Sequence, residues 1–583
     1  MKKNDRSWLL FIFLTLGLVL IIGCKSEPSG SDFEINIRIK EDPSRLNPLF
    51  HLGVTARLVH QYIFVPLADY HPDHYELTPI LIDRIPEKQI DETANGQSFY
   101  DIRFKEDAVW EDGSHISGED YLFTVKLIVH PDMGTGAYRG YFDFVDDIIV
   151  DSADPKSFRV YFSTDYMLGL ESIITIPILP KYVYDPDGRL ENLSITDLRD
   201  QKKVEEWTNT DAGNAEYVSA LNGLKYGKDI IVNCGPYKLT AWETDQNLVI
   251  EAKENYWGKN YPENPFLQQG PGVMNFYIIP DETTCISQLK EGNIDVASSI
   301  STQRFVELKN NPVFEKEFSF HSPALMRFYF LGINNRHPIL SDPKVRRALA
   351  MLLDVDQIIN NMEDGLGQRL SVPFHPARSY YHKELPLIPF DPEGASRLLR
   401  EAGWVDSDQN GILDKVIQGK KTELIIEGYT SQQELGRNIM LMLQENGRKA
   451  GIKVDIATKD FSVIMRDHVR TRDYGITPLV INQDLNDDDP YQRWHSDNDD
   501  PSKGNTVSYR NPEADRLIME IRSVPGRDQR HDLYKRLQEV MFEDTPSIFL
   551  YAPVETIIIS KHWKGRGTVK RPGYLANTFT PKT

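Results

Sequence analysis

Six residues from Asp406 to Gly411 carry the oxygen-rich spacing of a calcium-binding loop. Asp406, Asp408 and Asn410 stand at the first, third and fifth positions and glycine at the sixth, the order in which an EF-hand loop places its first ligands around Ca²⁺. The twelfth position is Ile417, where a bidentate glutamate is required. The motif is therefore only half complete. We expect a structural turn here, with calcium as the weaker alternative.

A second group of residues has the spacing of a serine acyl-enzyme. Ser341 and Lys344 fit the pattern S-x-x-K, and residues 496–498 fit S-D-N, which are two of the three elements found in penicillin-interacting enzymes. The third element, K-T-G, does not occur, and the two present are 155 positions apart. Ser341 and Asp342 also suit the start of a helix. We predict no catalysis and keep a serine acyl-enzyme that uses Ser341 and Lys344 as the remote alternative.

The motifs of several other chemistries are missing from the sequence. It contains no H-E-x-x-H, no Walker A loop and no G-x-G-x-x-G, so zinc hydrolysis, nucleotide use and dinucleotide redox chemistry lack the groups they require. We therefore expect no cofactor and no resident metal.

The amino-terminal residues have the pattern of a targeting signal. Basic residues precede an uncharged run from Trp8 to Ile22, which is 15 residues long, the length of a signal-peptide core and short of the roughly 20 residues needed to span a bilayer. The run ends in Ile21-Ile22-Gly23-Cys24, which resembles the lipobox of bacterial lipoproteins, where the cysteine is acylated and the peptide is cut just before it. We predict a signal peptide over residues 1–23, lipidation of Cys24 and a tether over residues 24–32, with a signal anchor and an incidental cysteine as the alternative.

Composition and charge limit the choice of partners. The chain has 583 residues, 86 acidic against 66 basic, and a formal charge of −20, so it lacks the basic excess typical of a nucleic-acid-binding protein. Removal of the signal peptide would leave a charge of −22. Cys234 and Cys285 are the other cysteines. These two cysteines are able to form a disulfide in an oxidising compartment. A core of this size needs no such bond, however, and two buried free thiols are the alternative.

The elements that must position these residues follow from local patterns. Alternating apolar residues predict half-buried strands around Tyr100 and around Val160. Helix starts are marked by Asp342-Pro343, Asp391-Pro392 and Asn511-Pro512, and a further helix by Leu533, Leu537, Val540 and Met541. Mixed strands and helices over more than 500 residues predict an α/β protein with several lobes.

Several short segments, taken together and in their order along the chain, form a pattern typical of one protein family. They are Leu46-Asn47-Pro48, residues 99–104 (FYDIRF), 110–121 (WEDGSHISGEDY), 234–239 (CGPYKL), 255–258 (NYWG), 289–295 (LKEGNID), 343–349 (PKVRRAL), 401–404 (EAGW) and 511–515 (NPEAD). In this order they resemble the family 5 extracytoplasmic solute-binding proteins, the oligopeptide- and dipeptide-binding components of ABC importers.

The resemblance implies a periplasmic-binding-protein-like type II fold, with two lobes hinged around a cleft and an extra third lobe. Carried over to this chain, lobe I takes residues 33–77, 165–315 and 546–583, the extra lobe II takes 78–164, and lobe III takes 316–545. Binding then means closure of two rigid bodies over the solute.

The resemblance also implies where the solute is held. In the family, an acid that meets the peptide ammonium follows a strand of the lobe opposite lobe I and precedes an acid-proline pair. The corresponding stretch here is 480–490. Asp484 follows the apolar strand directly, but it stands six residues before Pro490, whereas the common spacing of about four selects Asn486. Both remain candidates, with Asn482 beside them and a solvated acidic loop as the alternative.

Three further residues complete the expected ligand set. Trp494 and His495 are expected to line the pocket, with a structural role for the tryptophan as the alternative. Arg378 is a candidate bidentate donor to a solute carboxylate, with an ordinary surface arginine as the alternative.

The expected function follows from the resemblance. It is a monomeric, lipid-anchored protein outside the cytoplasm that captures short peptides and presents them to membrane permease subunits. The alternatives are the same fold binding a sugar, a nickel chelate or heme, and a receptor that signals without transport.

Overall fold

The computed structural model describes residues 33–582 apart from 51–52, 74–75, 94–95, 484 and 525. The signal peptide, Cys24 and Asp484 of the sequence-based predictions lie outside the described residues. In the described part, strands and helices alternate along the whole chain, as the residue patterns predict.

The strands, in chain order, are β1 (Glu34–Ile39), β2 (Ala68–Tyr70), β3 (Leu77–Pro79), β4 (Lys88–Asp91), β5 (Gln97–Arg103), β6 (Val145–Val150), β7 (Ser157–Phe162), β8 (Tyr237–Glu243), β9 (Asn247–Ala252), β10 (Val273–Ile278), β11 (Val296–Ser298), β12 (Phe318–His321), β13 (Arg327–Ile333), β14 (Gly367–Arg369), β15 (Asp414–Ile417), β16 (Lys420–Glu423), β17 (Ile425–Thr430), β18 (Lys453–Thr458), β19 (Ile476–Asn482), β20 (Ser547–Pro553), β21 (Ile557–Ser560), β22 (Trp563–Lys564) and β23 (Thr580–Pro581).

The α-helices are α1 (Val54–Ile63), α2 (Gly118–Val129), α3 (Gly136–Arg139), α4 (Gly169–Ile174), α5 (Lys181–Tyr184), α6 (Ile195–Arg199), α7 (Gln201–Thr210), α8 (Ala212–Asn222), α9 (Glu282–Lys290), α10 (Thr302–Lys309), α11 (Pro312–Glu317), α12 (Pro343–Met351), α13 (Val355–Met362), α14 (Pro392–Glu401), α15 (Glu434–Lys449), α16 (Phe461–Val463), α17 (Tyr491–Trp494), α18 (Pro512–Ser523) and α19 (Arg527–Asp544).

Lobe I is built on a seven-stranded sheet in the order β12-β21-β11-β1-β10-β9-β8. Strand β1 runs parallel to β10 and β11, and the other pairs are antiparallel. Side chains alternate between the two faces of a strand. Accordingly, Ile557 and Ile559 of β21 join one apolar cluster, and Ile558 between them joins another, under α9 to α11. The sheet is therefore covered on both faces.

Lobe II is built on a four-stranded antiparallel sheet in the order β4-β5-β7-β6. Phe158 and Val160 of β7 belong to the same apolar cluster as Ile35 and Phe276 of the lobe I sheet. Lobes I and II therefore share one continuous core.

Lobe III is built on a six-stranded sheet in the order β14-β20-β13-β19-β17-β18. One face is buried by α12 to α15, with Leu331 and Ile426 among the cluster residues, and the other by α18 and α19, with Phe330 and Ile481. The core of lobe III is separate from that shared by lobes I and II.

The sheets place the lobe boundaries a few residues from those drawn from the sequence. Strand β12 pairs with β21 in the lobe I sheet, although its residues were assigned to lobe III. Strand β20 pairs with β13 and β14 in the lobe III sheet, although its residues were assigned to lobe I. Hydrogen bonding between strands decides to which lobe each strand belongs. The chain therefore crosses between lobes I and III within residues 322–326 and again within residues 554–556.

The predicted helix starts are confirmed, and each has its cap. The side chain of Asp342 accepts a hydrogen bond from Lys344 N, Asp391 from Gly394 N, and Asn511 from Glu513 N and Ala514 N. Each cap satisfies a backbone N–H that a helix leaves unpaired at its first turn.

Cys234 and Cys285 are both free and buried, so the disulfide considered from the sequence is not formed.

Candidate functional site

Two chain segments join lobe I to lobe III, and they run side by side. Glu555 N donates to Pro323 O at 2.8 Å and Leu325 N donates to Pro553 O at 3.3 Å, with an antiparallel bridge between Ala324 and Val554. A pair of short connecting segments is the arrangement that lets two rigid lobes rotate about a shared axis. The space between the lobes is therefore the candidate functional site.

The lobes touch where the segment 166–171 of lobe I meets the α18/α19 face of lobe III. Arg522 of α18 places its Cζ atom 5.7 Å from the centre of the Tyr166 ring, and Met167 packs against the apolar cluster of that face. The guanidinium of Arg522 also lies 4.3 Å from the ring of Tyr491 in its own lobe. It is therefore held between one aromatic ring from each lobe.

The loop after β19 forms the facing wall in lobe III, and its described acids have partners within that lobe. Asp489 accepts from Arg522 Nε at 3.0 Å, and Asp487 lies 3.3 Å from Arg530 Nη2. Burial raises the pKa of Asp489, while Arg522 acts in the opposite direction. Asp488 accepts from the side chain of Gln483, and its backbone N–H donates to the Tyr380 hydroxyl at 3.2 Å.

Glu171 of α4 forms the wall on the lobe I side. Its carboxylate lies 3.5 Å from the hydroxyl of Tyr70. Burial raises the pKa of Glu171, the negative charge of Asp487 across the cleft raises it further, and Arg530 lowers it. The cleft at this point is therefore lined by carboxylates of both lobes and by tyrosine rings.

The structure brings three of the predicted ligand residues, Asn482, Asn486 and Arg378, to this loop. Asn482, at the end of β19, is exposed, and its Oδ1 accepts from Arg327 Nε at 3.0 Å and from Arg571 Nη1 of lobe I at 3.5 Å. Asn486 is half-buried in the loop. Asp484 lies between them in the chain, outside the described residues. Arg378 is buried and donates from Nη1 to Leu485 O at 2.7 Å, so it holds the loop.

Trp494 and His495 lie behind the loop, within lobe III. Trp494 is 4% exposed and packs edge-on against Tyr509 and Phe549. It also lines a cavity of about 10 Å³ under the loop, room for one water molecule. His495 accepts from Asp497 N at 3.1 Å and lies against the ring of Tyr491. These contacts support the loop from beneath.

Strand β19 presents a backbone edge at the same place. It pairs with β13 along its whole length, from Ile476 to Asn482, but with β17 only at Ile476. In the part of the chain that the structure describes, the second edge of β19 from Leu479 to Asn482 has no partner strand. Unpaired N–H and C=O groups on such an edge are able to pair with an extended chain.

A family model described as bacterial extracellular solute-binding proteins, family 5 Middle, matches residues 77–503. The match covers more than half of the chain, including both sides of the cleft. The chain belongs to family 5 of the bacterial extracellular solute-binding proteins. The resemblance inferred from the ordered sequence segments is thereby confirmed.

Relatives of this family 5 protein include two oligopeptide-binding proteins. Oligopeptide-binding protein AppA of Bacillus subtilis is 25% identical over 480 residues, which cover 81% of this chain and 78% of AppA. Periplasmic oligopeptide-binding protein OppA of Escherichia coli is 23% identical over 506 residues, which cover 82% of this chain and 80% of OppA.

Solved structures support the fold of the family 5 protein. AppA from Bacillus subtilis in complex with a nonapeptide matches with a TM-score of 0.68 at 20% identity, over 94% of this chain and 99% of AppA. NikA from Brucella suis in complex with Fe(III)-EDTA matches with a TM-score of 0.73 at 18% identity, over 94% of this chain and all of NikA. The predicted periplasmic-binding-protein-like α/β fold is confirmed.

The sequence reasoning missed four side chains that meet at the contact between the lobes: Tyr166, Glu171, Arg522 and Arg530. No motif marks them, because they come from two regions, 166–171 and 522–530, that lie more than three hundred residues apart in the chain. The two connecting segments and the contact between Tyr166 and Arg522 bring these four side chains together. A partial signal was available for the arginines, since both lie on helices of lobe III that the sequence predicts.

The candidate calcium loop is a hydrogen-bonded turn. Asp406 accepts from Asn410 N at 3.1 Å and Gly411 N at 3.0 Å. Carboxylate oxygens of Asp406, Asp408 and Asp414 lie within 4.8 Å of one another, but Lys421 Nζ lies 2.8 Å from Asp408 and 3.3 Å from Asp414. The ammonium supplies the positive charge that this turn needs.

The residues of the serine acyl-enzyme alternative have structural partners. Ser341 Oγ donates to Pro338 O at 3.1 Å, and Lys344 Nζ lies 3.6 Å from Glu401. Ser496 Oγ donates to Asp515. These contacts fit the start of α12 and the support of α18, and the family is one of solute-binding proteins.

Within the described residues, no helix is both long enough and apolar enough to cross a membrane.

Proposed function

We propose that this family 5 protein is the substrate-binding component of an ABC importer, which captures short peptides between lobes I and III and delivers them to a membrane permease powered by separate ATPase subunits. Its relatives AppA and OppA are named oligopeptide-binding proteins. Capture and closure need no catalytic group, and the chain is proposed to act as a monomer without a nucleic-acid partner, cofactor or enzymatic activity.

The open edge of β19 carries this proposal. Peptides bound in extended form satisfy their backbone by pairing with such an edge, which gives affinity without strong side-chain preference. The edge lies at the entrance between the lobes, since Asn482 at its end reaches Arg571 of lobe I. Closure about the two connecting segments would then cover the peptide and exclude water from it.

Thermal unfolding of the chain from residue 24 onward, with Cys24 replaced by serine, tests the proposal. We expect pools of dipeptides to hexapeptides to raise the midpoint, because a ligand present at 100 times its Kd stabilises the folded state by about 2.7 kcal/mol. Small-angle scattering in the same buffer should show a smaller radius of gyration with peptide. A rise in the unfolding midpoint with a sugar, a nickel chelate or heme, together with no rise for any peptide pool, would show that this solute is the ligand instead of a peptide.

We propose that the chain is anchored outside the cytoplasm through a lipid on Cys24. The support is the basic start, the apolar run and the small residue before the cysteine. Expression of the full chain and of Cys24→Ser in a bacterial host, followed by membrane fractionation, tests the anchor. We expect the variant to leave the membrane fraction. Equal retention of both forms would disprove lipidation as the anchor.

Transport itself is tested by deletion of the gene. We expect loss of uptake of a labelled peptide that binds the purified protein, and restoration by the full chain. Unchanged uptake would instead indicate a receptor that signals without transport.

A further inference from the structure

Gln483 is the first residue after β19, and its backbone joins the loop that follows to one of the segments connecting lobes I and III. Its N–H donates to Met326 O at 2.7 Å. Met326 belongs to the connecting segment 322–326, which leads into β13. The bond continues the pairing of β13 with β19 by one step beyond Asn482, the last paired residue of β19. The start of the loop is therefore fixed to the connecting segment.

The side chain of Gln483 is buried beneath the loop, with 7% of the residue exposed. Its Oε1 accepts from His375 N at 3.1 Å, and its Nε2 donates to the carboxylate of Asp488. Gln483 and Asp488 both line the small cavity under the loop. The amide therefore joins three parts of lobe III, which are the end of β19, the segment around His375 and the far part of the loop.

These two partners require an amide at position 483. The backbone N–H of His375 needs an acceptor, the carboxylate of Asp488 needs a donor, and a primary amide presents one of each. A glutamate has the same shape, but when ionised it has no donor, and its charge would face that of Asp488. A leucine would leave both partner groups without this hydrogen bond, which is costly for buried polar groups. Glutamine is therefore selected here by its chemistry as well as its size.

Other side chains hold the loop to lobe III alone. Arg378 Nη1 donates to Leu485 O at 2.7 Å. The hydroxyl of Tyr380 accepts from Asp488 N at 3.2 Å. These bonds fix the middle of the loop to the body of the lobe. Gln483 adds the bond to the connecting segment, so it relates the shape of the loop to the segments about which the lobes rotate.

We propose that Gln483 is a positioning residue for solute binding, which holds the loop after β19 in its binding shape and ties it to the connecting segment. Its side chain is turned beneath the loop, whereas its neighbour Asn482, a candidate ligand residue, is exposed. Gln483 therefore acts through the loop and not by touching the solute. This rests on the proposed capture of a solute between the lobes and adds the group that shapes the site. Without the amide the loop is free to adopt other shapes, and binding must then order it.

The test exchanges the polarity of the hydrogen bond between residues 483 and 488. Gln483→Glu brings two carboxylates together. Gln483→Glu combined with Asp488→Asn restores one donor and one acceptor, and the glutamate still offers an oxygen to His375 N. Asp488→Asn alone and Gln432→Glu, at an exposed glutamine of lobe III, are the controls. Calorimetry supplies Kd for the tetrapeptide that gives the unaltered protein its largest thermal shift, at a temperature where unfolding curves show every variant to be folded.

We expect Gln483→Glu to raise Kd about 10- to 100-fold, the range for one hydrogen bond to a charged group. The combined variant should return to within about three-fold of the unaltered protein, and Gln432→Glu should bind as that protein does. A lower unfolding midpoint with an unchanged Kd in Gln483→Glu would mean a purely structural role and overturn the proposal. So would a loss in Asp488→Asn that the combined variant does not repair, because Asp488 would then meet the solute directly.

Failure of the peptide function has a different signature. The unaltered protein would then bind a sugar, a nickel chelate or heme and no peptide. The same variants measured with that solute would still decide the role of Gln483, since the polarity exchange acts on the loop whatever the loop holds.

Discussion

Replacement of Tyr166 by leucine should weaken solute binding by loosening the closed form. Arg522 contacts Asp489 at 3.0 Å and Tyr491 at 4.3 Å within its own lobe, so a rigid-body movement of the lobes is expected to leave both contacts in place. Only the contact with Tyr166, at 5.7 Å from the ring centre, is lost when the lobes separate. The Tyr166 ring therefore contributes to the free-energy difference between the open and closed forms, alongside Met167 and the contact between Asn482 and Arg571.

A half-buried cation–π contact contributes about 1 kcal/mol. Its loss should raise the Kd for peptide about five-fold, mainly through faster dissociation, because the ring acts after the encounter. Tyr166→Phe keeps the ring and should bind as the unaltered protein does. Stopped-flow tryptophan fluorescence gives both rate constants. Tyr277→Leu, at an exposed lobe I tyrosine, is the matched control.

Three outcomes would refute this reasoning about Tyr166. They are an unchanged dissociation rate in Tyr166→Leu, an equal loss in Tyr166→Phe, and an equal loss in the Tyr277 control. A loss confined to the association rate would place the effect at the encounter instead of the closed form.

Three further outcomes are expected. Burial lowers the pKa of His375 to about 4. In the unfolded chain the His375 imidazole therefore binds a proton below about pH 6.5, whereas in the folded chain it binds one only near pH 4. His375 therefore costs about 2 to 3 kcal/mol of unfolding free energy between pH 6.5 and 4.5, and urea titrations of His375→Gln at both pH values should show a smaller pH dependence. A Cβ at Gly235 would lie 2.2 Å from Ile63 O, so Gly235→Ala should lose about 2 kcal/mol or more; Gly140→Ala, with nothing within 4 Å of the added carbon, should be neutral or slightly stabilising in the same titration. Finally, Ellman's reagent should label Cys234 and Cys285 only after denaturation, since both are buried and burial raises the pKa of the Cys234 thiol to about 12; rapid labelling of the native protein would contradict their packing.

Local sequence patterns predicted the elements well because their causes are local. Aspartate or asparagine before proline forms the helix cap within a few residues of itself, as at Asp342 and Asn511. Alternation of apolar side chains around Val160 follows from the pleat of one strand. The predicted lobe boundaries differ from the sheet membership, because no residue near 316 or 546 records which distant strand its neighbours will pair with.

The candidate site was predicted in part. The sequence located the end of β19, and Asn482 lies at the cleft with a partner in each lobe. The sequence did not reveal that Asp487 and Asp489 are paired with arginines of α18 and α19. Those partners are more than thirty residues away in the chain, and only helix packing against the sheet brings them there.

The sequence by itself determined the α/β class, the family, the candidate lipid anchor and the segment that follows the central strand of lobe III. These depend on residues that are close in the chain or that occur in a fixed order. The tertiary structure decided which partners the charges near the cleft have. Glu171 and Asp487 are separated by more than three hundred residues, and ionisation is governed by distance in space and by burial. The partners of each carboxylate near the cleft are therefore a property of the folded lobes.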